Sequence, residues 1–382
     1  MSSPAPAILQ VLPALDTGGV ERGTIEVTAA LAAAGFRAFV ASAGGRLTGE
    51  IARAGGTHVQ LPLASKDPLV MWRNAGKLAD LVHAEGIAVL HARSRAPAWS
   101  ARLAARRTGA AFMTTYHGTY NEGFPGKRAY NAVMASGVRV IAISHFIARH
   151  LIARHGTDPA RVRVIPRGVD PLRFDPAMVQ GDRMRRLAEA WRLPDGAPIV
   201  VLPGRLTRWK GQAVLIEALA LMQQRDAVAV LVGDAQGREG YRDELLSLAQ
   251  ARGVAERIRL AGDCADIPAG LMLADAVVSA STDPEAFGRV VVEGQAMGRP
   301  VVATNHGGAA ETVEDGVTGW LVPPGDAQAL AARLDAVLAL GAEERAALAE
   351  RSRASVLARY TTPLMCAATL DVYREVLAGE AA

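Results

Sequence analysis

The chain has 382 residues, half of them apolar and a fifth charged, too many for one ordinary core and well suited to two globular domains. Its two cysteines, Cys264 and Cys366, are far apart and lack metal-ligand spacing, which argues against a disulfide scaffold and a cysteine-held metal, and no apolar run approaches the ~18 residues of a membrane span. The net charge of +4 divides unevenly: residues 1–168 hold 20 Lys+Arg against 9 Asp+Glu (+11), so the remainder is −7. A basic first half points to an anionic partner, whether membrane phospholipid, a phosphorylated acceptor or nucleic acid.

The opening Met1–Ala7 has neither a basic start nor a long apolar stretch, so it reads as a short flexible lead in a cytosolic protein without disulfides. From Ile8 onward short apolar runs alternate with helix-period segments. Strands are expected at 8–12, 36–41, 58–61, 88–91, 111–115, 138–143 and 162–165, with helices at 20–34, 71–85 and 99–107. That alternation is the pattern of a parallel sheet covered on both faces. After P-R-G-V-D-P, a stretch punctuated like a linker, the pattern restarts. Strands are expected at 199–202, 227–232, 258–261, 276–280, 301–304 and 321–322, with helices at 211–222, 239–252 and 289–297. Three further helices, 327–340, 342–359 and 363–377, close the chain. Two successive doubly wound α/β halves follow, and ligands of such sheets bind beyond the carboxyl ends of the strands.

The strand-end loops carry the chemistry. Gly18 and Gly19 open a helix after the first strand, where backbone can approach an anion closely, although G-x-G-x-x-G is absent. His117 follows the strand ending at Thr115 and is suited to a sugar hydroxyl or a phosphate. P-G-R-L-T-R-W-K-G supplies Arg205 as a planar fork and Lys210 as a point charge, a pair able to converge on a diphosphate. Val232-Gly233-Asp234 and Asn305-His306-Gly307-Gly308 suit either backbone contacts to a nucleotide or ordinary turns. The densest stretch is A-V-V-S-A-S-T-D-P-E-A-F-G-R-V-V-V-E-G-Q-A-M, 276–297. It reads as a strand through Ser281, a turn, and a helix whose first amides, from Phe287, Gly288 and Arg289, face one point. Glu285 precedes that junction and Glu293 leans back toward it from one turn inside the helix. Carboxylates repel phosphate, so their partners are hydroxyls on either side of one, as a nucleotide sugar provides. D-x-D, H-E-x-x-H, G-x-x-x-x-G-K-[ST] and G-x-S-x-G are all missing, against metal-held phosphates, zinc proteases, P-loop enzymes and α/β-hydrolases.

Taken together, Gly18-Gly19, G-R-L-T-R-W-K-G, V-I-P-R-G-V-D-P-L-R-F and E-A-F-G-R-V-V-V-E resemble the retaining glycosyltransferases of family 4, with the GT-B fold, and look closest to bacterial lipopolysaccharide-core transferases. The resemblance implies two Rossmann-like domains: residues 1–168 with a returning C-terminal helix about 363–382 for the acceptor, and 169–362 for the donor. It implies that Arg205 and Lys210 hold the donor diphosphate, helped by Gly18, Gly19 and the amides of Phe287, Gly288 and Arg289. Glu285 would meet the transferred sugar, Glu293 the ribose, and His117 the sugar and leaving phosphate, with His117 and Glu285 the catalytic pair. It implies a metal-free transfer of a hexose or heptose, without a cofactor, from a UDP-, GDP- or ADP-linked donor. The acceptor would be a membrane glycolipid or phosphorylated saccharide, met by a cytoplasmic enzyme peripheral to an anionic membrane and not bound to nucleic acid. Same-scaffold alternatives are a soluble disaccharide- or polysaccharide-forming transferase and a nucleotide-sugar epimerase.

Overall fold

A computed structural model describes residues 5–379 apart from Thr17, Phe124 and Arg238. Most of the expected N-terminal lead, and Thr17 of the first glycine loop, therefore lie outside the described residues.

The chain divides into two compact units, 1–166 with 363–382, and 167–362. The first unit runs β1 (Ala7–Val11), α1 (Gly19–Ala33), β2 (Arg37–Ser42), α2 (Thr48–Arg53), β3 (Thr57–Gln60), α3 (Pro68–Glu85) and β4 (Ile87–Ala92). It continues through α4 (Arg95–Thr108), β5 (Ala111–Tyr116), α5 (Lys127–Asn131), β6 (Val140–Ala142), α6 (His145–His155) and β7 (Val162–Val164). The second holds α7 (Gly181–Ala190), β8 (Ile199–Pro203), α8 (Gln212–Leu221), β9 (Val228–Val232), α9 (Glu239–Ala251), β10 (Ile258–Gly262) and α10 (Ile267–Met272). Then come β11 (Ala276–Ser279), α11 (Arg289–Ala296), β12 (Val301–Thr304), β13 (Trp320–Val322), α12 (Ala327–Leu338) and α13 (Ala342–Arg359), and α14 (Thr362–Leu377) closes the chain.

The two sheets are ordered β3-β2-β1-β4-β5-β6-β7 and β10-β9-β8-β11-β12-β13. All the strand pairs among the described residues are parallel. The central strands are buried along their whole length, AILQV in β1 and IVVLP in β8, because helices cover both faces. Strand order reverses between β1 and β4 in one sheet and between β8 and β11 in the other, which opens a crevice at the carboxyl ends of each pair.

Most element ends shift by a few residues from the sequence reading, and three departures matter more. The second unit begins at Arg167 rather than 169, because the Val169 N–H donates to Tyr360 O and the Thr362 N–H to Val169 O, tying this stretch to the end of α13. β11 ends at Ser279, two residues short of Ser281, whose carbonyl accepts from the Thr304 side-chain hydroxyl on β12 rather than from a ladder N–H. The short helices α2, α7 and α10 escape periodicity; α2 buries Ile51 alone and α7 buries nothing.

α14 packs on the first sheet. Met365, Cys366, Leu370, Tyr373 and Val376 join Ile8, Val89, Met113 and Ile141 in one buried cluster. Inside it, His91 shares hydrogen bonds with the Tyr373 hydroxyl (2.6 Å) and the Thr115 hydroxyl (2.7 Å), and Glu375 accepts from Arg139 and Arg163 at the helix end. Burial, aided by the nearby Arg93 charge, holds the His91 pKa well below its usual 6.5. The folded value therefore lies below the unfolded one, so the unfolded chain takes up the proton first and stability is complete above pH 6.5. Burial lowers His58, His150 and His155 in the same direction. Stability is thus expected to fall as pH drops below 6.5, well before carboxylates such as Glu375, depressed by Arg139 and Arg163 against the pull of burial, add their own loss. Urea midpoints at about pH 7.5 and about pH 5.5 test this; equal midpoints would contradict it.

Candidate active site

Three strand-end loops of the second unit converge on one carboxylate. β8 exits through Gly204 and Arg205 into a turn at Arg208–Lys210, and Gly211 then caps α8 with φ 75°, its missing Cβ facing the carbonyl of Ala280. Any side chain at 211 would collide with that backbone, so glycine lets the cation loop lie directly on the end of β11. The Thr282 N–H donates to Trp209 O at 2.7 Å and completes the junction. In this position Lys210 Nζ stands 2.5 Å from Glu285 Oε1, and the Ser281 hydroxyl donates to the same oxygen at 2.7 Å. The pair is shielded: the side chains are 16% and 12% exposed.

The loop after β12 supports Glu285 from the other side. The Gly308 N–H donates to Glu285 O at 2.7 Å, and Gly307, at φ 65°, approaches so closely that a Cβ would lie 2.5 Å from that oxygen. His306 Nε2 hydrogen-bonds Ser281 O at 2.8 Å. Of the two readings open for Asn305–Gly308, a support for the Glu285 loop is what the geometry displays.

Gly288 caps α11 in the left-handed region (φ 86°, ψ 55°), with Phe287 buried beneath it and packed edge-on to Tyr360. The amides opening this helix have no intrahelical acceptor, so their partial positive charge is available at the same corner. Glu293 is only 9% exposed and accepts from Arg289 Nη2 at 3.0 Å, one turn earlier on the same helix face. Each predicted carboxylate therefore carries a cation, Lys210 on Glu285 and Arg289 on Glu293. Arg205 is exposed, and its Nη1 reaches Gln236 Oε1 at 3.5 Å. Its loop is held by Leu206 N–H donating to Asp234 O and by the Gln212 amide donating to Arg205 O, which gives Val232–Asp234 a supporting part.

In the first unit, Gly18 caps α1 with φ 155° and Gly19 is its first residue. His117 directly follows β5 and is half-buried. Its main chain hydrogen-bonds the Tyr120 hydroxyl, and burial pushes that hydroxyl's pKa up to about 12. The Tyr120 ring packs 4.7 Å from Tyr116 and lies 4.3 Å beneath the Arg95 guanidinium. The sequence marks His306 only as part of a loop and does not single out the side chains of Ser281, Tyr120 or Arg289. The sequence offers a weak signal for them at best, since their roles depend on partners from other loops. Among the described residues, no group of three or more His, Cys, Asp or Glu is placed to hold a metal ion, and no helix is long and apolar enough to cross a membrane.

Comparison with known proteins fits this geometry. Residues 184–355 match the family model for glycosyl transferases group 1, and residues 17–173 that for glycosyltransferase family 4. A glycosyltransferase crystal structure from Rickettsia africae is similar over 98% of this chain and 99% of that one, with 38% identity and a TM-score of 0.90. Anabaena Alr3699/HepE in complex with UDP and glucose is similar at 25% identity and TM-score 0.85, over 97% of this chain and 100% of that one. A D-inositol 3-phosphate glycosyltransferase of Salinispora tropica is 37% identical over 64% of this chain and 52% of its own length. The chain thus spans about half the length of the curated relatives it matches.

Because both members of the Lys210–Glu285 pair are largely shielded, Lys210→Met or Glu285→Gln alone is expected to cost about 1–3 kcal/mol by stranding the other. The double variant should recover part of that loss. A double-mutant cycle by chemical denaturation measures it, and coupling below about 0.3 kcal/mol would show that the pair contributes nothing.

Proposed function

The chain belongs to the GT-B glycosyltransferases of family 4, and on that footing we propose that it transfers a hexose from a UDP-linked donor to a phosphate-bearing saccharide or glycolipid, retaining configuration and using no metal. The observation that carries this reading is the Lys210–Glu285 pair, an ionic contact held at the meeting point of three strand-end loops beside a helix start.

In this mechanism Arg205, Lys210 and the amides of Phe287, Gly288 and Arg289 take the donor diphosphate, a role the resemblance also gives to Gly18 and Gly19. Glu285 accepts hydroxyls of the transferred sugar and Glu293 those of the ribose. His117 serves the sugar and the departing phosphate. As the glycosidic bond breaks, negative charge grows on the diphosphate. A lysine already oriented by a carboxylate meets that charge with little reorganisation, an effect worth several kcal/mol in preorganised sites. Oε1 of Glu285 already accepts from Lys210 and Ser281, which suits a carboxylate that orients hydroxyls rather than one that attacks carbon. The acceptor hydroxyl would then attack from the face the diphosphate leaves, handing its proton to the leaving phosphate. A glycosyl-Glu285 adduct trapped from donor alone would overturn that route.

The UDP choice is supported by the Anabaena neighbour bound to UDP and glucose. A thermal-shift screen across UDP-, GDP- and ADP-sugars is expected to single out UDP, because bound ligand stabilises by mass action. The basic first unit supports an anionic acceptor, such as a phosphate-bearing glycolipid. The inositol phosphate transferases among the curated relatives favour a second reading, a small soluble phosphorylated polyol. Activity on a water-soluble acceptor alone would select it, and donor turnover without any acceptor would select an epimerase or hydrolase. Glu285→Ala is expected to lower transfer by at least about 100-fold while UDP still shifts the melting temperature; full activity would falsify the assignment.

A further inference from the structure

The first unit has a groove whose lining residues the proposed reaction does not use. It runs between α3 and α4, encloses about 500 Å³, and its floor is apolar: Met71, Trp99, Leu103 and Tyr130. Trp99 donates its ring N–H to Tyr130 O at 3.1 Å, so its one polar atom is satisfied and the rest of the ring faces its neighbours as hydrocarbon. The lip is more unusual. Leu69 and Trp72, in the first turns of α3, are 67% and 60% exposed. Large apolar side chains at a helix start gain nothing from water, and their exposure beside an apolar groove marks a surface that meets another apolar phase.

Charge identifies that phase. Lys66, Arg102 and Arg106 line the groove, and Arg107 stacks over Trp72 with its guanidinium 5.5 Å from the ring centre. Among the described residues none of these four cations has a carboxylate within ion-pair distance. α4 contains no acidic residue at all. The nearest candidates on α3 are otherwise engaged or exposed: Asp67 caps its own helix through Leu69 and Val70, Glu85 pairs with Arg37, and Asp80 is open to solvent. Arg102 and Arg106 also lie four apart on one helix face, a repulsive spacing unless an anion sits between them. A row of uncompensated cations above aromatic side chains is the arrangement of a surface that lies on an anionic bilayer, where aromatic rings settle at the head-group level and each cation adds attraction.

A second arginine-bearing helix of this unit, α6, carries Arg149 and Arg154. In the structure Ile147, Ala148 and Leu151 of that helix point into the core and Arg154 is paired with Glu122, so α6 presents no apolar surface of comparable exposure.

We propose that the α3–α4 groove docks the protein on an anionic membrane, seating one lipid phosphate against Lys66, Arg102 and Arg106 and its acyl chain against Trp72, Trp99 and Leu103. This deepens the glycolipid reading by assigning a face of the first unit to the membrane that would carry the acceptor, and it is tested apart from catalysis.

The experiment is co-sedimentation of the full chain with vesicles of phosphatidylcholine alone or with phosphatidylglycerol, at low and at high salt. Binding is expected only with phosphatidylglycerol, weakening steeply with salt. Trp72→Ser is expected to weaken it about tenfold, and Arg102→Glu with Arg106→Glu about 30-fold or more. The melting shift on adding UDP should be unchanged in every variant, since these side chains lie on the surface of the other unit from the donor loops. Wild-type protein that ignores anionic vesicles but still transfers sugar would overturn the docking and leave the transferase reading standing. Equal binding by wild type and groove variants, or loss of binding in Arg149→Glu on α6 instead, would overturn the groove. A concentration-dependent dimer in sedimentation velocity that Trp72→Ser dissociates would also overturn it, by assigning the groove to a second copy.

Discussion

Lys210 and Glu285 are 75 positions apart in the chain and meet at 2.5 Å because two parallel strands, β8 and β11, lie side by side at the point where strand order reverses. Everything distinctive about the second unit's site follows from that adjacency. The cation loop leaves one strand, the carboxylate loop leaves the other, and a third loop from β12 fastens both through Gly308 and His306. Glycines at 211 and 307 are what allow these backbones to lie in contact. The pair is thus a product of sheet topology, and it places a shielded charge of each sign beside the positive end of α11.

The same logic accounts for where the chain spends its polar residues. A parallel sheet covered on both faces has little room for charge, yet the first unit buries His91, Arg93 and Gln10 among its central strands. Gln10 accepts from Arg93 and donates to Thr28, while His91 bridges the Tyr373 and Thr115 hydroxyls. This network gives α14 a specific seat on the first sheet in place of a merely greasy one. A buried neutral histidine must be desolvated and kept unprotonated, so the seat becomes weaker in acid.

The first and second units also divide their charge in a way that matches their surfaces. In the second, three basic side chains around the site are matched to carboxylates, Lys210 to Glu285, Arg289 to Glu293 and Arg208 to Glu244, while Arg205 reaches only the Gln236 amide. In the first, the cations around the α3–α4 groove are left unmatched beside exposed Trp72 and Leu69. Matched charges suit a site that must hold a defined ligand geometry. Unmatched ones suit a broad anionic surface, where attraction accumulates over many weak contacts.

How much of this could be read in the sequence depended on the range of the interaction. Mostly aliphatic runs such as AILQV and IVVLP, repeated with helix-period segments between them, determined two doubly wound halves, because burial on both faces leaves a strand no polar alternation. Glycine and charge at strand ends likewise marked Gly18, Gly19, Arg205, Lys210, Glu285 and Glu293 as residues to watch, since those features are local. What only the tertiary structure decided was pairing. Lys210 binds Glu285 rather than standing open, Arg289 covers Glu293, β11 stops at Ser279 so that Ser281 can be gripped by Thr304 and His306, and Trp72 faces water beside arginines no carboxylate meets. Each of these depends on which loops and helices become neighbours, and that is set by strand order in the folded sheet, which no local pattern of residues encodes.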